Sequence, residues 1–346
     1  MNLEELGWDA FFADAFEPHE KNNLLPARVS ARHHGPCELF TELGPMGGLP
    51  SGKLSDEELP AVGDWVAVRP VPGEKKAVIE AVLPRRSGFT RKEAGQRTVT
   101  QVVAANVDTV FVVTAFGFDL NPRRLERYLT SAWDSGATPV IVVNKSDLAD
   151  DPEAELLEVE PVVIGVPLHP VSAVTGAGLE ALEAYLGTGR TVALLGSSGV
   201  GKSTLVNHFA GRELLATAHT SAGGRGRHTT SHRELVPLPA GGVLLDTPGM
   251  RELQLWADEE VLDTTFGEIS ELAARCRFSD CAHEQEPGCA VREALSSGTL
   301  AAERFSSYRK LQRELRALEI RKDNRLRSEA RKERVRFARS QRKTRW

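Results

Sequence analysis

An apolar strand that empties into a glycine-rich loop limits the folds open to this chain more than any other stretch does. Thr191-Val-Ala-Leu-Leu195 reads as a buried strand, Gly196-Ser-Ser-Gly-Val-Gly-Lys-Ser203 as the loop, and a helix begins near Lys202. Strand, Gly-x4-Gly-Lys-Ser and helix in succession make a phosphate-cradling loop. Gly196, Gly199 and Gly201 let backbone N–H groups converge on a β-phosphate, and the helix N-terminus adds partial positive charge. Lys202 suits the β- and γ-phosphates, and the Ser203 hydroxyl suits Mg2+. Ser197, Ser198, Val200 and Thr204 complete the candidate cofactor-binding run. The competing reading, a chance Gly/Ser turn, is disfavoured by the strand before it and the helix after it.

A second segment, Val243-Leu-Leu-Asp246-Thr-Pro-Gly249, offers a carboxylate at a strand end to hold magnesium through water. The Gly249 N–H can meet a γ-phosphate. Base choice is written in Val140-Ile-Val-Val-Asn144-Lys145-Ser-Asp147. An aspartate there accepts two hydrogen bonds from the donor edge of guanine, whereas adenine presents no such pair. A carboxylate left without partners is costly, so the pattern points to GTP and GDP over ATP. Pro170-Val-Ser172-Ala173 follows another short apolar run and would back the base. The guanine-reading segments precede the phosphate loop, whereas ordinary GTPases place them after it. The chemistry survives this permutation, because ligands bind where the carboxyl ends of parallel strands converge. The segment from Asp246 then leads directly into the C-terminal part of the chain.

Hydrolysis needs a group to orient water. The residue after Gly249, often Gln in GTPases, is Met250, which neither donates nor accepts strongly. The loop Gly223-Gly-Arg-Gly-Arg-His228-Thr-Thr230-Ser-His232 offers Thr230 or Thr229 to the Mg2+ shell and His228 as the water-positioning candidate. An exposed loop histidine is an equal competing reading for His228.

At 346 residues, 41% hydrophobic and 26% charged, the chain has the size of two or three soluble domains. It has no apolar run long enough to span a bilayer and no signal-peptide pattern at its start, so a cytoplasmic, membrane-free protein is expected. Residues 3–16 (within an N-terminal segment 1–21) read as a short amphipathic helix. Over 22–86, Ala27–Ala31, Cys37–Thr41, Asp64–Arg69 and Ala77–Leu83 read as short strands. Gly44-Pro-Met-Gly-Gly48 and Pro70-Val-Pro-Gly73 read as punctuating turns. Strands without intervening helices suggest a small OB-type β-barrel. Residues 87–99 read as an exposed basic linker.

Over 100–254, apolar strands at 107–114, 139–143, 162–166, 191–195 and 243–245 separated by helices mark a doubly wound α/β domain. Asn121-Pro122 predicts a helix cap followed by proline at the first helical position.

Cys276-x4-Cys281-x-His283-x5-Cys289 falls within 255–300. Three thiols and one imidazole suit a closed tetrahedral Zn2+ site in a cytosolic chain. Buried free thiols are the competing reading. A last helix, with Phe305, Tyr308, Leu311, Leu315 and Leu318 on one face, opens the segment 301–346 and runs into an Arg-rich tail. Residues 303–346 hold 17 Lys/Arg against 6 Asp/Glu in a chain whose net charge is −5. Such a run fits phosphate backbones, with a solvated helix face as the competing reading.

These residues together, residues 144–147, 196–203, 228–230 and 246–249 with the Cys3His cluster, resemble the RsgA (YjeQ) family of small-ribosomal-subunit-dependent GTPases. The stretches Ala104-Ala-Asn-Val-Asp108 and Pro287-Gly-Cys-Ala-Val-Arg292 add to the likeness. The resemblance implies a barrel, a circularly permuted GTPase domain, a helical zinc module, and hydrolysis stimulated by the small ribosomal subunit during its late maturation. It also implies contact with that subunit's rRNA and supports His228 as the residue that positions water. The chain is expected to act as a monomer. Two alternatives remain: an RNA-binding scaffold with a vestigial nucleotide site, and a nucleotide-dependent enzyme with another substrate.

Overall fold

The computed structural model describes residues 2–32, 35–55, 58–92, 100–117, 119–214, 234–246, 262, 265–284 and 286–322. They fall into two compact units: residues 1–91 with 100–254, and residues 92–99 with 255–346. Each is described by itself.

In the first unit, β1 (Leu25–Arg32), β2 (Cys37–Thr41), β3 (Gly44–Pro50), β4 (Trp65–Pro70) and β5 (Lys76–Val82) close on themselves. The pairing runs β1-β2-β3-β5-β4 and back to β1, with β3 and β5 parallel and every other pair antiparallel. This closed five-stranded barrel is the OB-type one expected, with one correction. The Gly/Pro-rich stretch read as a turn after β2 is strand β3 itself. Glycine is there for clearance: a Cβ on Gly48 would lie 2.7 Å from Leu39 Cδ1 and 3.1 Å from Ile79 Cδ1. Leu39 and Ile79 are both fully buried in the barrel core. The residues expected to form a linker also carry structure. β6 (Gly88–Lys92) pairs with β7 (Thr100–Ala105), and Phe89 is buried.

The α/β sheet continues from the barrel through one bridge, Ala31 opposite Glu234. Its order is β10 (Leu168–Pro170), β9 (Thr138–Asn144), β8 (Thr109–Ala115), β11 (Thr191–Leu195), β13 (Val243–Asp246) and β12 (Glu234–Pro237). All are parallel except β12, which runs antiparallel to β13. Residues 162–166 were expected to be a strand. They form instead the end of a 3-10 turn (Glu160–Val162) and a following turn, which lay Val163 into the core, and the strand is the shorter β10. Of the helices that follow β8, namely α2 (Pro122–Asp134), α3 (Pro152–Val159), α4 (Glu180–Glu183) and α5 (Lys202–Ala210), α2 starts as predicted, with Asn121 Oδ1 accepting from Arg124 N at 3.2 Å and Pro122 at the first position. The expected helix at 3–16 is a 3-10 turn (Glu4–Leu6) followed by α1 (Ala10–Glu20). Leu3, Leu6, Phe12 and Phe16 pack there with Trp65 of the barrel and Val243 of the sheet.

Arg28 is the buried knot of this unit. Its guanidinium donates to Gly63 O (3.3 Å), Asn106 O (3.1 Å), Thr191 Oγ1 (2.8 Å) and Leu6 O, and it lies over the Trp65 ring. It thereby ties the N-terminal turn and the barrel to the first residue of the strand that leads into the phosphate loop. Burial pushes its pKa down to about 10, against the opposing charges of Asp108 and Asp64, so it stays cationic at neutral pH. Arg28→Met would relieve the buried charge but take a donor from four buried acceptors; Gly63 O keeps its bond from Asn106 Nδ2, and each acceptor left without a partner costs roughly 1–3 kcal/mol. The acceptors outweigh the relief, and a net loss of about 2–4 kcal/mol is expected. It should appear as a lower urea midpoint, and a midpoint equal to the parent's would show that the knot contributes nothing.

In the second unit, α6 (Gly267–Ala273), α7 (Ala290–Ser297) and α8 (Ala302–Lys322) pack around Phe266, Ile269, Val291, Leu300, Leu311 and Leu315. Phe305 and Tyr308 of the predicted stripe join this core from half-buried positions. Arg304 clamps α8 onto α6, donating to Glu268 Oε1 at 2.6 Å and Thr265 O at 2.7 Å. No helix among the described residues is long and apolar enough to cross a membrane.

Candidate nucleotide site and Cys/His cluster

The loops after β8, β9, β10 and β11 meet at the carboxyl edge of the sheet, where ligands of doubly wound folds bind. The phosphate loop follows β11, and helix α5 (Lys202–Ala210) begins at Lys202 as its spacing requires. Ser198 and Gly199 are exposed at the tip, Ser197 and Gly201 are half-buried, Val200 is buried, and Ser203 and Thr204 lie in the first helical turn. The Lys202 ammonium donates to two carbonyls of its own loop, Gly196 O at 2.8 Å and Ser197 O at 2.6 Å. It is thus held over the loop, where a phosphate's negative oxygens would approach.

Asn144, at the end of β9, is almost fully buried and touches the loops on both sides of it. Its Nδ2 donates to Val200 O at 2.7 Å, and its Oδ1 accepts from Ala173 N at 2.9 Å. The contact leaves no room for a side chain at the facing loop residue: a Cβ on Gly201, whose φ is +102°, would lie 2.1 Å from Asn144 Nδ2. Asn144 is therefore a cross-link between the base loop and the phosphate loop, a role that the sequence pattern alone does not express. Lys145 follows in a left-handed conformation, φ +66°, rare for a residue with a side chain and typical of strained functional loops. Asp147 is exposed, and buried Ser172 donates to its Oδ1 at 2.6 Å, which fixes the carboxylate's rotation. Thr175 N in turn donates to Ser172 Oγ at 3.1 Å.

The structure therefore brings together Asn144, Lys145, Asp147, Ser172, Ala173 and residues 196–204. Asp246 ends β13, which pairs in parallel with the phosphate-loop strand β11; its side chain is outside the described residues, as are His228, Thr229, Thr230, Gly249 and Met250. Sequence reading missed Arg124. This residue of α2 donates to Ser197 Oγ at 3.0 Å and pairs with Asp119. No spacing motif joins positions 73 apart in the chain.

The Cys276, Cys281, His283 and Cys289 ligand atoms all lie within 4.8 Å of one another. Cys276 Sγ is 3.8 Å from Cys289 Sγ and 3.6 Å from His283 Nδ1, and His283 Nδ1 is 3.3 Å from Cys289 Sγ. Zn–S and Zn–N bonds of ordinary length around a tetrahedral ion put neighbouring sulfurs about 3.8 Å apart and sulfur–nitrogen pairs about 3.6 Å apart. The donor set and its spacing fit zinc. Although burial opposes it, the backbone N–H groups of Val291 and Ala290 hold the Cys276 thiol below its usual pKa, favouring the thiolate that binds metal. Arg309 of α8 secures the loop from outside, donating to Ala282 O at 3.0 Å and Glu284 Oε1 at 2.8 Å.

Known proteins with this arrangement are numerous. A protein of Opitutus terrae described as "Small ribosomal subunit biogenesis GTPase RsgA" is 51% identical over 329 residues, covering 91% of this chain and 90% of that one. One of the same description from Streptomyces coelicolor is 44% identical, over 96% of this chain and 91% of its own. Among solved structures, the crystal structure of YjeQ from Thermotoga maritima superposes with a TM-score of 0.62 at 29% identity, covering 84% of this chain and 98% of that one. The structure of YloQ, described as a circularly permuted GTPase, shares the fold with a TM-score of 0.61 at 23% identity. Residues 82–256, which hold the base and phosphate loops described above, match the family described as RsgA GTPase. With the loops at Asn144–Asp147 and Ser172-Ala173 ahead of the Gly196–Ser203 loop and all on one sheet edge, this chain belongs to the RsgA family of circularly permuted GTPases.

Proposed function

We propose that the chain is a GTP-hydrolysing assembly factor of the small ribosomal subunit, acting in the cytoplasm as a monomer, with hydrolysis stimulated by the subunit and its rRNA. The descriptions of its relatives support the ribosomal part. The nucleotide part is carried by one observation, the Asn144 bridge, which locks a base-reading loop to a phosphate-cradling loop at 2.7 Å and 2.9 Å. Loops fixed to each other in this way suit the two ends of one nucleotide.

In this reading Asp147 accepts from the N1–H and N2–H groups of guanine while Ser172 and Ala173 back the ring. The N–H groups of residues 197–202 and the Lys202 ammonium take the phosphates. Ser203, Thr204, Asp246 and Thr230 line the magnesium side, the Gly249 N–H meets the γ-phosphate, and His228 orients water. Magnesium, when bound, offsets charge on the β- and γ-oxygens. Zinc held by the Cys3His cluster stiffens the C-terminal module. The barrel and the basic stretch 303–346 supply rRNA contact, in which Lys and Arg neutralise phosphates.

Steady-state GTP hydrolysis, with and without purified small subunits, tests the proposal. Slow basal turnover is expected, rising at least about tenfold when the subunit orders the catalytic loop, with ATP unable to compete. No GTP turnover under either condition would favour an RNA-binding scaffold. Turnover indifferent to subunits would remove the ribosomal assignment and leave the GTPase.

A further inference from the structure

The two halves of the α/β sheet wind in opposite directions from the boundary between β8 and β11. From β8 the chain proceeds outward to β9 and β10, whereas from β11 it builds β12 and β13 on the other side. The loops leaving β8 and β11 therefore part at their carboxyl ends, and the crevice between them is where such folds hold ligand. Arg124 spans that crevice. It stands in the first turn of α2, and its Nη1 donates to Ser197 Oγ, 3.0 Å away on the phosphate loop.

Both ends of Arg124 are fixed before it reaches across. Its backbone N–H is held by the Asn121 cap at 3.2 Å, and its guanidinium is paired with Asp119. Asp119 is held in turn by Thr114 at the end of β8, whose Oγ1 donates to Asp119 O at 2.8 Å and lies 3.3 Å from Asp119 Oδ2. Beyond Ser197 the chain of contacts continues to the lysine, because the Ser197 carbonyl accepts from Lys202 Nζ at 2.6 Å. One line of bonds thus runs from β8 through Asp119 and Arg124 to Ser197 and the phosphate-binding ammonium.

We propose that Arg124 is a positioning residue for GTP hydrolysis, a brace from the neighbouring helix that fixes the curvature of the phosphate loop at Ser197 and, through the Ser197 carbonyl, the place of Lys202. The inference rests on the proposed GTPase reading of this site. A loop whose N–H groups already converge loses less entropy on gripping phosphates, and its lysine does not have to search for the developing charge. A guanidinium suits the task because it stays charged and its Nη1 carries two N–H groups, which can serve the Asp119 carboxylate and the Ser197 hydroxyl at once.

The test is a double-mutant cycle on the full chain, reading kcat and KM for GTP and the melting temperature of each variant. Arg124→Gln is expected to lower kcat/KM about 10- to 30-fold and Ser197→Ala about 3- to 10-fold. The combined variant should be no worse than Arg124→Gln alone, because both substitutions remove one contact. Arg124→Lys, which keeps a charged donor at the end of a long side chain, should recover a large part of the loss, and no recovery would overturn the brace. Melting within about 2 °C of the parent excludes a general loss of stability. Effects of Arg124→Gln and Ser197→Ala that multiply in the combined variant would overturn the brace, as would parental kcat/KM in Arg124→Gln. If the parent chain neither binds nor hydrolyses GTP, the GTPase reading fails and the brace with it. If the parent hydrolyses GTP and the cycle shows no coupling, the brace alone fails.

Discussion

Asp147→Asn is expected to exchange the nucleotide this chain uses: kcat/KM for GTP falls about 10^3-fold or more, and xanthosine triphosphate becomes the better substrate. The size of the effect follows from which groups face each other. Guanine turns two donors toward the 147 position, N1–H and N2–H, and a carboxylate accepts both. An asparagine offers one acceptor and one donor, so its NH2 group meets the guanine N2–H with nothing to accept either proton. Two desolvated donors left facing each other cost more than the loss of one ordinary bond. Xanthine has a carbonyl where guanine has its amino group, and that carbonyl accepts from the asparagine. The side chain need not rearrange, because Ser172 Oγ, 2.6 Å from Asp147 Oδ1, can donate to an amide oxygen as it does to a carboxylate. Measuring kcat/KM for GTP and xanthosine triphosphate on both proteins checks the prediction. Asp147→Asn with GTP turnover within about threefold of the parent would show that this residue does not read the base.

The features legible in the sequence are those whose physics is local. The Asn121-Pro122 cap, the start of α5 at Lys202 and the Cys276–Cys289 ligand spacing each specify a conformation within a few residues, and each stands where it was expected. Legibility fails where one residue type serves two purposes. Gly48 reads as a turn glycine because glycine usually supplies a turn, yet here it gives clearance to Leu39 and Ile79 inside a strand. Val162, Val163 and Val166 read as a strand because they are apolar and β-branched. They fill the core from a 3-10 turn and the turn that follows it, and sheet pairing falls instead on the residues that can reach β9, Leu168–Pro170.

Contacts between distant positions leave no periodicity at all. Arg28 meets Thr191 across 163 positions, Asn144 meets Val200 across 56, and Arg124 meets Ser197 across 73. Each looks in the sequence like an ordinary strand arginine, a motif asparagine or a surface helix arginine. Their roles come from the topology, which puts the loops after β8, β9 and β11 side by side only when the sheet is complete. The hydrolytic part of the reading, His228 and Thr230, rests on sequence alone, since those positions lie outside the described residues.

Removing zinc is expected to unfold the C-terminal module while the barrel and α/β sheet of the first unit stay folded. Among the described residues the apolar core of that module is small, and one of its buried members, Cys289, is itself a candidate zinc ligand, with Cys276 and Cys281 packed against it. A core of that size cannot offset the chain entropy of its helices and loops unaided. The binding free energy of a structural zinc site, roughly 10–16 kcal/mol at neutral pH, exceeds the whole stability of most small domains. Here the ion would also join segments that lack regular structure between them. Cys276 follows α6, Cys281 and His283 lie in the loop, with His283 in a left-handed conformation, and Cys289 caps α7. Without the ion, the thiolate favoured at Cys276 would have the Cys289 sulfur at 3.8 Å and no cation between them.

Metal analysis of the purified chain should find about one zinc per chain. After chelation, proteolysis should cut within 262–322, while guanine-nucleotide affinity in the first unit is retained. His283→Cys should keep zinc and folding, because four thiolates also satisfy a tetrahedral structural site, whereas His283→Ala should lose both. A zinc-free chain whose C-terminal module resists protease as well as the parent's would mean that the four residues are a packed thiol cluster and that the helices hold themselves together.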